Sequence, residues 1–458
     1  MYQRDCVGRG ELCSRSVGDR DTINRLSGSP VKPHLIRGRT QFAPTTFKEE
    51  IPMKKKLLSC ALAVVMLLGG FMLPASMPLT DLFGIEVSAA VSDFTYTVNS
   101  DGNTVTITGY VGSGGTVKIP STIDGKIVTK IGYCAFWNCY GMESITIPNS
   151  VTKIGDSAFG NCHNLASIKI PGSVTVIDKY AFASCTGLTK AIIGNGVTSI
   201  GDWAFNFCIS LESVTLGNSL KSIGSMAFWD CEKLKSIKIP NSVTKIGGDA
   251  FSWCKGLTSV TLGNSVKSIG GGAFSTCEGL KSIKIPNSVT SIGDGAFFEC
   301  LKLKSVKIPN SVTSMGERVF QECRSLEKVT LGNGVKKIHD YDYVGVPSLK
   351  SIKIGSGVKS IGNNAFVDCT RLISITIPNN VTSMGDYAFG WCDGLKTASI
   401  GNGVKSIGSG AFISCKNLTS VTIGKSVESI GFQGFCACES LKAITIPDNV
   451  KRIGSLGV

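Results

Sequence analysis

From residue 132 onward the chain repeats one arrangement of apolar and polar positions every 23 residues. Phenylalanine occupies positions 136, 159, 182, 205, 228, 251, 274, 297 and 320, then 366, 389, 412 and 435, with Tyr343 in the one gap. Cysteine follows three residues later in each copy from Cys139 to Cys438, Val346 being the exception. Leucine comes three residues after that, from Leu165 to Leu441, with Met142 in the first copy. Fourteen copies keep this register without an insertion or deletion, so an internal array is the first thing the sequence establishes.

Within the copy from Leu280 to Cys300, Ile283 and Ile285 alternate with polar residues, the period of a half-buried strand. Pro286 has no N–H to donate and ends it, with Asn287-Ser288 as the turn. Val289 and Ile292 make a second short apolar element, closed by Gly293. Ala296, Phe297, Cys300 and Leu303 fall at i, i+1, i+4 and i+7, which predicts one face of a short helical turn. No copy can bury its apolar positions alone. Stacked neighbours bury them in one continuous core, and the chain coils into a solenoid.

The pattern L-x-x-I-x-I-P-x-x-V-x-x-I-G-x-x-A-F-x-x-C resembles the BspA-like (Treponema-type) leucine-rich-repeat family of bacterial cell-surface proteins. The resemblance implies a β-rich fold: a right-handed parallel solenoid of about 14 repeats over 132–454, with short helical or 3-10 turns on its convex side. It further implies display outside the cell and adhesion to host matrix proteins or other cells. Residues 90–131 depart from the repeat. Their Thr-Val-Thr-Ile-Thr alternation at 104–108, Gly-rich link at 112–115 and Ile123-Asp-Gly-Lys-Ile127 loop look like an N-terminal cap over the first open edge.

Ahead of the array, Met53 is followed by Lys54, Lys55 and Lys56, an apolar run from Leu57 to Leu73, and the small-residue segment Val87-Ser88-Ala89. That order reads as a secretory signal peptide over 53–89, with the mature chain starting at Ala90. A membrane anchor fits less well, because the run is short for a span and Gly69, Gly70 and Pro74 weaken it as a helix. Cys60 precedes the apolar run instead of closing it, which argues against lipidation. Residues 1–52 carry seven Arg without helical or strand period and read as untranslated or disordered, Met53 being the expected true start and Cys6 and Cys13 having no bearing on the fold. At the other end the sequence stops where another Ala-Phe is due, so 455–458 read as a truncated end of an incomplete gene product.

Charge narrows the partners without naming one. The 458 residues carry a formal +14, and residues 1–90 hold 12 Lys/Arg and 8 Asp/Glu, leaving 35 minus 25, or +10, for the remainder. Spread along an extended body, that charge favours an acidic extracellular protein or anionic glycan. No basic block interleaves with aromatics, so no specific nucleic-acid partner is expected, and the mature chain has no candidate membrane span.

Four sets of residues are candidates for contact with a ligand. The outward slot between the two inward strand residues holds Lys169, Lys238, Lys284, Lys307 and Lys353, with Thr in most other copies. It serves either solubility and edge protection or a basic docking face. Variable slots on the helical side hold Trp137, Trp203, Trp229, Trp253 and Trp391, together with Tyr180, Phe207, Phe298 and Tyr387. These rings either pack over neighbouring copies or stand out as binding anchors. The irregular copy places His339 in a Gly slot, Tyr343 in the Phe slot and Val346 in the Cys slot, with Tyr341 and two Asp nearby. It is either a decayed repeat or a specialised contact. The cysteine ladder reads as small buried hydrophobes. Disulfides between adjacent copies and zinc are the competing readings, and a linear stack does not offer zinc four converging ligands. Cys134 and Cys436 lie outside the ladder.

Catalysis finds little support. After residue 90 the histidines are His163 and His339, far apart in the array, and there is no nucleophile elbow, spaced metal cluster or phosphate loop. No cofactor is expected. Two functions remain: an adhesion or protein-binding module for host or cell-surface ligands, and a passive structural or envelope-coat protein without a specific receptor.

Overall fold

The computed structural model describes residues 89–457. The expected signal peptide up to residue 88, the segment 1–52 and Cys6, Cys13 and Cys60 lie outside the described residues. The rest is a parallel β-solenoid in which each rung is one 23-residue copy. One strand of each rung pairs with the same strand 23 residues on, as Ile237 does with Val260 and Ile269 with Ile292.

Three faces make up a rung. The first strand face consists of segments such as Ser236–Lys238, Ser259–Thr261 and Ser305–Lys307. After Pro286 the chain turns, the Val289 N–H donating to the Pro286 carbonyl at 3.1 Å. The second strand face then begins, in two-residue strands such as Ser268–Ile269 and Ser291–Ile292. A closing turn face carries Ala, Phe and Cys. Side chains from all three point inward, and Leu280, Val289, Ala296, Phe297 and Cys300 are fully buried. At roughly 2 kcal/mol for each large apolar side chain buried, the repeated core slots dominate the stability of the array.

Phenylalanine rings stack along the core. Those of Phe228 and Phe251 lie 5.2 Å apart and within 2° of parallel. Turns are sealed between rungs by polar ladders: the Asn310 Oδ1 accepts the Asn333 N–H at 2.9 Å, and the Asp294 Oδ1 accepts the Glu317 N–H at 2.9 Å. Asn and Asp at these corners thus satisfy backbone donors that the strands leave over.

The expected helical turns on the Ala-Phe-x-x-Cys segment are not formed. Among the described residues the one helix is the 3-10 turn Val91–Asp93. The turn face is a succession of tight turns, because its N–H groups have two destinations. The Phe274 N–H donates across to the next rung at Ala296 O (2.9 Å), whereas the Ser275 N–H turns back to Gly272 O (2.8 Å). An α-helix would need all of them to point along one segment. Left-handed residues also recur two before and two after the Phe, as at Trp203 (φ 60) and Phe207 (φ 56) around Phe205, and each would break a helix.

The N-terminal segment starts both strand faces. Strand β1 (Phe94–Val98) runs antiparallel to β2 (Thr104–Tyr110), with an irregularity between Thr95 and Tyr96. Strand β3 (Gly115–Lys118) pairs parallel with Met142–Thr146 and opens the first face. Strand β4 (Thr122–Ile123) folds back on β5 (Lys126–Ile131) through Asp124 (φ 48) and Gly125 (φ 72), the positive φ pair of a tight hairpin. Strand β5 then lies parallel between β2 and Lys153–Ile154 and opens the second face.

Candidate ligand-binding surface

The alternation of the first strand face sets its lysines outward. Lys238, Lys284, Lys307 and Lys353 are all exposed, while Ile237, Ile283, Val306 and Ile352 beside them are buried. Register decides which of them meet. Lys238 lies opposite Thr261, Thr330 lies opposite both Lys307 and Lys353, and the bridge Ser282 to Ser305 makes Lys284 and Lys307 lateral neighbours. Lys281, Lys304 and Lys328, exposed on the same face, add to this pair and were not singled out from sequence. Their signal was present, since Lys281 and Lys304 fill one further outward column.

Lys284, Lys307 and Lys328 line a shallow depression of about 600 Å³ floored by Ile283, Val306 and Pro309. Among the described residues none of Lys281, Lys284, Lys304, Lys307 or Lys328 forms an ion pair. Flanking lysines do: Lys235 meets Glu212 at 3.0 Å and Lys350 meets Glu327 at 2.7 Å. A depression of similar size on the second face contains Asp156, Asp178 and Asp202 along with Lys179 and Lys245. There Lys153 binds Asp178 at 2.8 Å and Lys179 binds Asp156 at 3.5 Å, so its charges are largely answered internally. The depression on the first face, unlike this one, is lined by lysines without an ion pair.

The tryptophans do not form one site. Trp137 is half-buried and packs over Gly160, where an added Cβ would come within 2.1 Å of its ring. Trp203 stacks on Tyr180 at 5.9 Å and meets Trp229 edge-on at 6.2 Å, and Trp229 in turn meets Phe207 at 4.7 Å. Trp253 is 42% exposed, with the Lys255 Nζ 4.9 Å from its ring centre, and Trp391 stacks on Tyr387 several rungs away. Trp203, Trp253 and Trp391 all occupy left-handed slots. Because Ser184, Glu299 and Asp368 do the same in other rungs, that strain belongs to the repeat and marks no site.

Tyr343, a candidate contact from the sequence, is a core residue. It is fully buried, stacked between Phe320 at 6.0 Å and Phe366 at 4.8 Å, so it fills a core slot and cannot reach a ligand. Tyr341 beside it is 42% exposed, and His339 is half-buried. The residue that sets this rung apart is Asp342, which replaces the core Ala and is fully buried. Its carboxylate accepts the Arg318 N–H at 2.8 Å and the His339 N–H at 2.7 Å. Burial pushes its carboxyl up to about 7 despite these bonds and a further one from the Val319 N–H.

From Cys162 onward each ladder thiol has a partner that the sequence did not reveal. The Cys300 Sγ donates to the Phe274 carbonyl at 3.2 Å and the Cys277 Sγ to Phe251 at 3.2 Å, always 26 residues back. Cys162 through Cys438 are free thiols, and burial pushes Cys208 and Cys323 up to about 12. Among the described residues no three His, Cys, Asp or Glu side chains converge as a metal site. No helix among them is long and apolar enough to cross a membrane.

A family model described as a BspA type leucine rich repeat region matches residues 116–235, 221–346 and 336–456. A leucine-rich repeat protein from Bacteroides ovatus is 32% identical, with a TM-score of 0.58 over 79% of this chain and 97% of that one. A leucine rich cell surface protein from Faecalibacterium prausnitzii is 30% identical over 72% of this chain and 93% of that one, with a TM-score of 0.40. The pneumococcal vaccine antigen PcpA is 22% identical over 80% and 93%, with a TM-score of 0.46. No curated protein matches the chain.

Proposed function

Since the chain belongs to the BspA-type leucine-rich-repeat family, we propose that it is a secreted or surface-displayed binding module whose first strand face docks an acidic extracellular protein or glycan. The observation that carries this reading is the lateral pair Lys284 and Lys307, reinforced by Lys281, Lys304 and Lys328, none of which forms an ion pair among the described residues. Positive charge gathered on this face raises encounter rates with anionic partners and selects against cationic ones. The rung of Lys284 is bridged on both sides, Ile283 to Val260 and Ser282 to Ser305, which limits the ordering needed on binding.

The signal-peptide reading of residues 53–89 supports export, and the partly exposed Trp253, Trp391 and Tyr341 supply apolar anchors elsewhere on the array. The site is one of recognition. It brings a cluster of ammonium groups together but no nucleophile, general base or metal set.

A coat protein without receptor is the competing reading, favoured by near-identical copies: Lys235–Gly247 and Lys281–Gly293 differ only at Lys245 against Ser291. Binding of the purified protein to immobilised matrix proteins, mucins and glycans at low and physiological salt separates the two. Saturable binding to one acidic ligand class that persists at physiological salt supports docking. Weak attachment to every anionic surface that disappears with salt supports the coat.

A further inference from the structure

The regular array is interrupted between the rung of Phe320 and the rung of Tyr343. On the second strand face the sheet that begins at β1 ends at Ser314–Met315, and a new sheet starts at Lys337–Ile338. In neighbouring rungs the backbone N–H after this strand reaches back one rung, from Gly316 to Ile292 O at 2.8 Å and from Gly362 to Ile338 O at 2.9 Å. At the interruption the equivalent donor, His339 N–H, turns to the Asp342 carboxylate instead. Arg318 N–H, whose counterpart Gly295 N–H bonds to Glu317 O in the next rung at 2.8 Å, does the same. The ring spacing is widest here too, 6.0 Å between Phe320 and Tyr343.

The first strand face, by contrast, runs through the interruption, with Ser305 opposite Lys328 and Lys307 opposite Thr330. The rungs are therefore tied along the first strand face and by one turn-face bond, Glu322 N–H to Val344 O at 2.9 Å, while the second strand face and the corner after it rest on a single buried carboxyl group. That is the construction of a hinge.

We propose that this interruption is a proton-linked joint: neutral Asp342 closes it, and ionised Asp342 loosens it. The reason is burial without a counter-charge. No Lys or Arg side chain pairs with the carboxylate among the described residues. Glu317 adds a like charge, and the Tyr343 hydroxyl beside it is neutral and buried. The His339 ring has its Nδ1 3.9 Å from the Asp342 Oδ2, and burial together with Lys337 disfavours its protonation, against the opposing pull of Glu317, Asp294 and Asp340. Proton affinity raised in the closed state means that closure gains as pH falls from about 7 toward the ordinary carboxylate range, and that the full penalty is felt above it. Opening would bend the array about the lysine-bearing face.

Peptide-resolved amide hydrogen exchange on the full chain tests this, corrected for the intrinsic pH dependence of exchange. In the wild type, opening of the peptides holding Arg318–Phe320 and His339 should be about tenfold greater at pH 8 than at pH 6. Asp342→Asn keeps the shape but cannot ionise, and should flatten that dependence. Asp342→Ala, which restores the residue most rungs use, should do likewise. In His339→Gly the tenfold dependence should persist. A wild type that is flat with pH, an Asp342→Asn variant that keeps the slope, or loss of the slope in His339→Gly would each overturn the proposal.

Discussion

The Sγ of Cys300 lies 3.2 Å from the carbonyl oxygen of Phe274, in the rung before it, and donates its thiol hydrogen there. The bond repeats from Cys162 to Phe136 through Cys438 to Phe412, so the ladder ties each turn face to its predecessor as well as filling the core. Val346 shows that an apolar residue of similar size is accepted. Cys300→Val should therefore lower stability by only about 1 kcal/mol, from the lost weak bond and local repacking. Cys300→Asp should be far more damaging, because the slot would bury an unpaired carboxylate. Thermal melts of the two variants against wild type measure both.

The same burial predicts the chemistry of these thiols. With Cys208 and Cys323 held up to about 12, there is almost no thiolate at pH 8. Peptide-mapped alkylation of the native protein at that pH should leave both unmodified while half-buried Cys436, outside the ladder, reacts first. Denaturant should equalise them. Prompt native labelling of Cys208 would mean that the rungs open readily.

Gly293 and Gly295 stand two residues apart and should respond in opposite ways. A Cβ on Gly293 would come within 2.3 Å of the Gly271 backbone nitrogen in the preceding rung. Gly293→Ala should cost about 1–3 kcal/mol by forcing the rungs apart. Gly295 is left-handed at φ 56, but the same slot holds Asn364 at φ 53, and a Cβ there meets only the Phe298 Cβ at 3.6 Å. Gly295→Asn should stay within about 0.5 kcal/mol of wild type, since Asn tolerates this conformation and narrows the unfolded ensemble. Denaturation midpoints of the two variants make the comparison.

These contrasts show how far the sequence could be read. The 23-residue period and the inward slots were legible because every core position repeats, down to Ala296, Phe297 and Cys300. The turn face misled because its buried residues happen to fall at helical spacing, while the left-handed slots that forbid a helix hold Trp203, Glu299 or Thr276 where glycine would have announced them. The outward direction of Lys284 and Lys307 followed from strand alternation. Which lysines lack partners did not, because the pairing of Lys350 with Glu327 depends on register between exposed columns. Asp342 was within reach, since it stands in the Ala slot of the core. The Ala of that slot in most other copies, like the Phe and Cys of theirs, marks it as a buried position.

For the lysine face, reversing Lys284 and Lys307 together to Glu should slow association with an anionic ligand by about tenfold at low salt, with a smaller effect at physiological salt. Both side chains are exposed and unpaired, so the melting temperature should move little. Surface plasmon resonance at two salt concentrations reads the on-rate directly. An unchanged on-rate would move the docking site away from this face.

Tyr343 offers the last test, because its slot and its chemistry disagree. The ring takes the place of Phe in the stack, yet its hydroxyl is buried and has no hydrogen-bond partner among the described residues. Burial, with smaller contributions from neighbouring Asp342 and the thiols of Cys369 and Cys323, holds the phenol well above its usual range, so it stays neutral at any physiological pH. A neutral hydroxyl stripped of water and left unpaired costs about 1–3 kcal/mol. Tyr343→Phe removes that cost while keeping the ring between Phe320 and Phe366, and thirteen other rungs show that the slot accepts Phe. The variant should melt higher than wild type, with a gain that is the same at pH 6 and pH 8 because the phenol titrates at neither. A loss of stability would show instead that the hydroxyl is satisfied, by bound water or by a shift of the Asp342 side chain, and that this rung is held together more tightly than its broken ladder indicates.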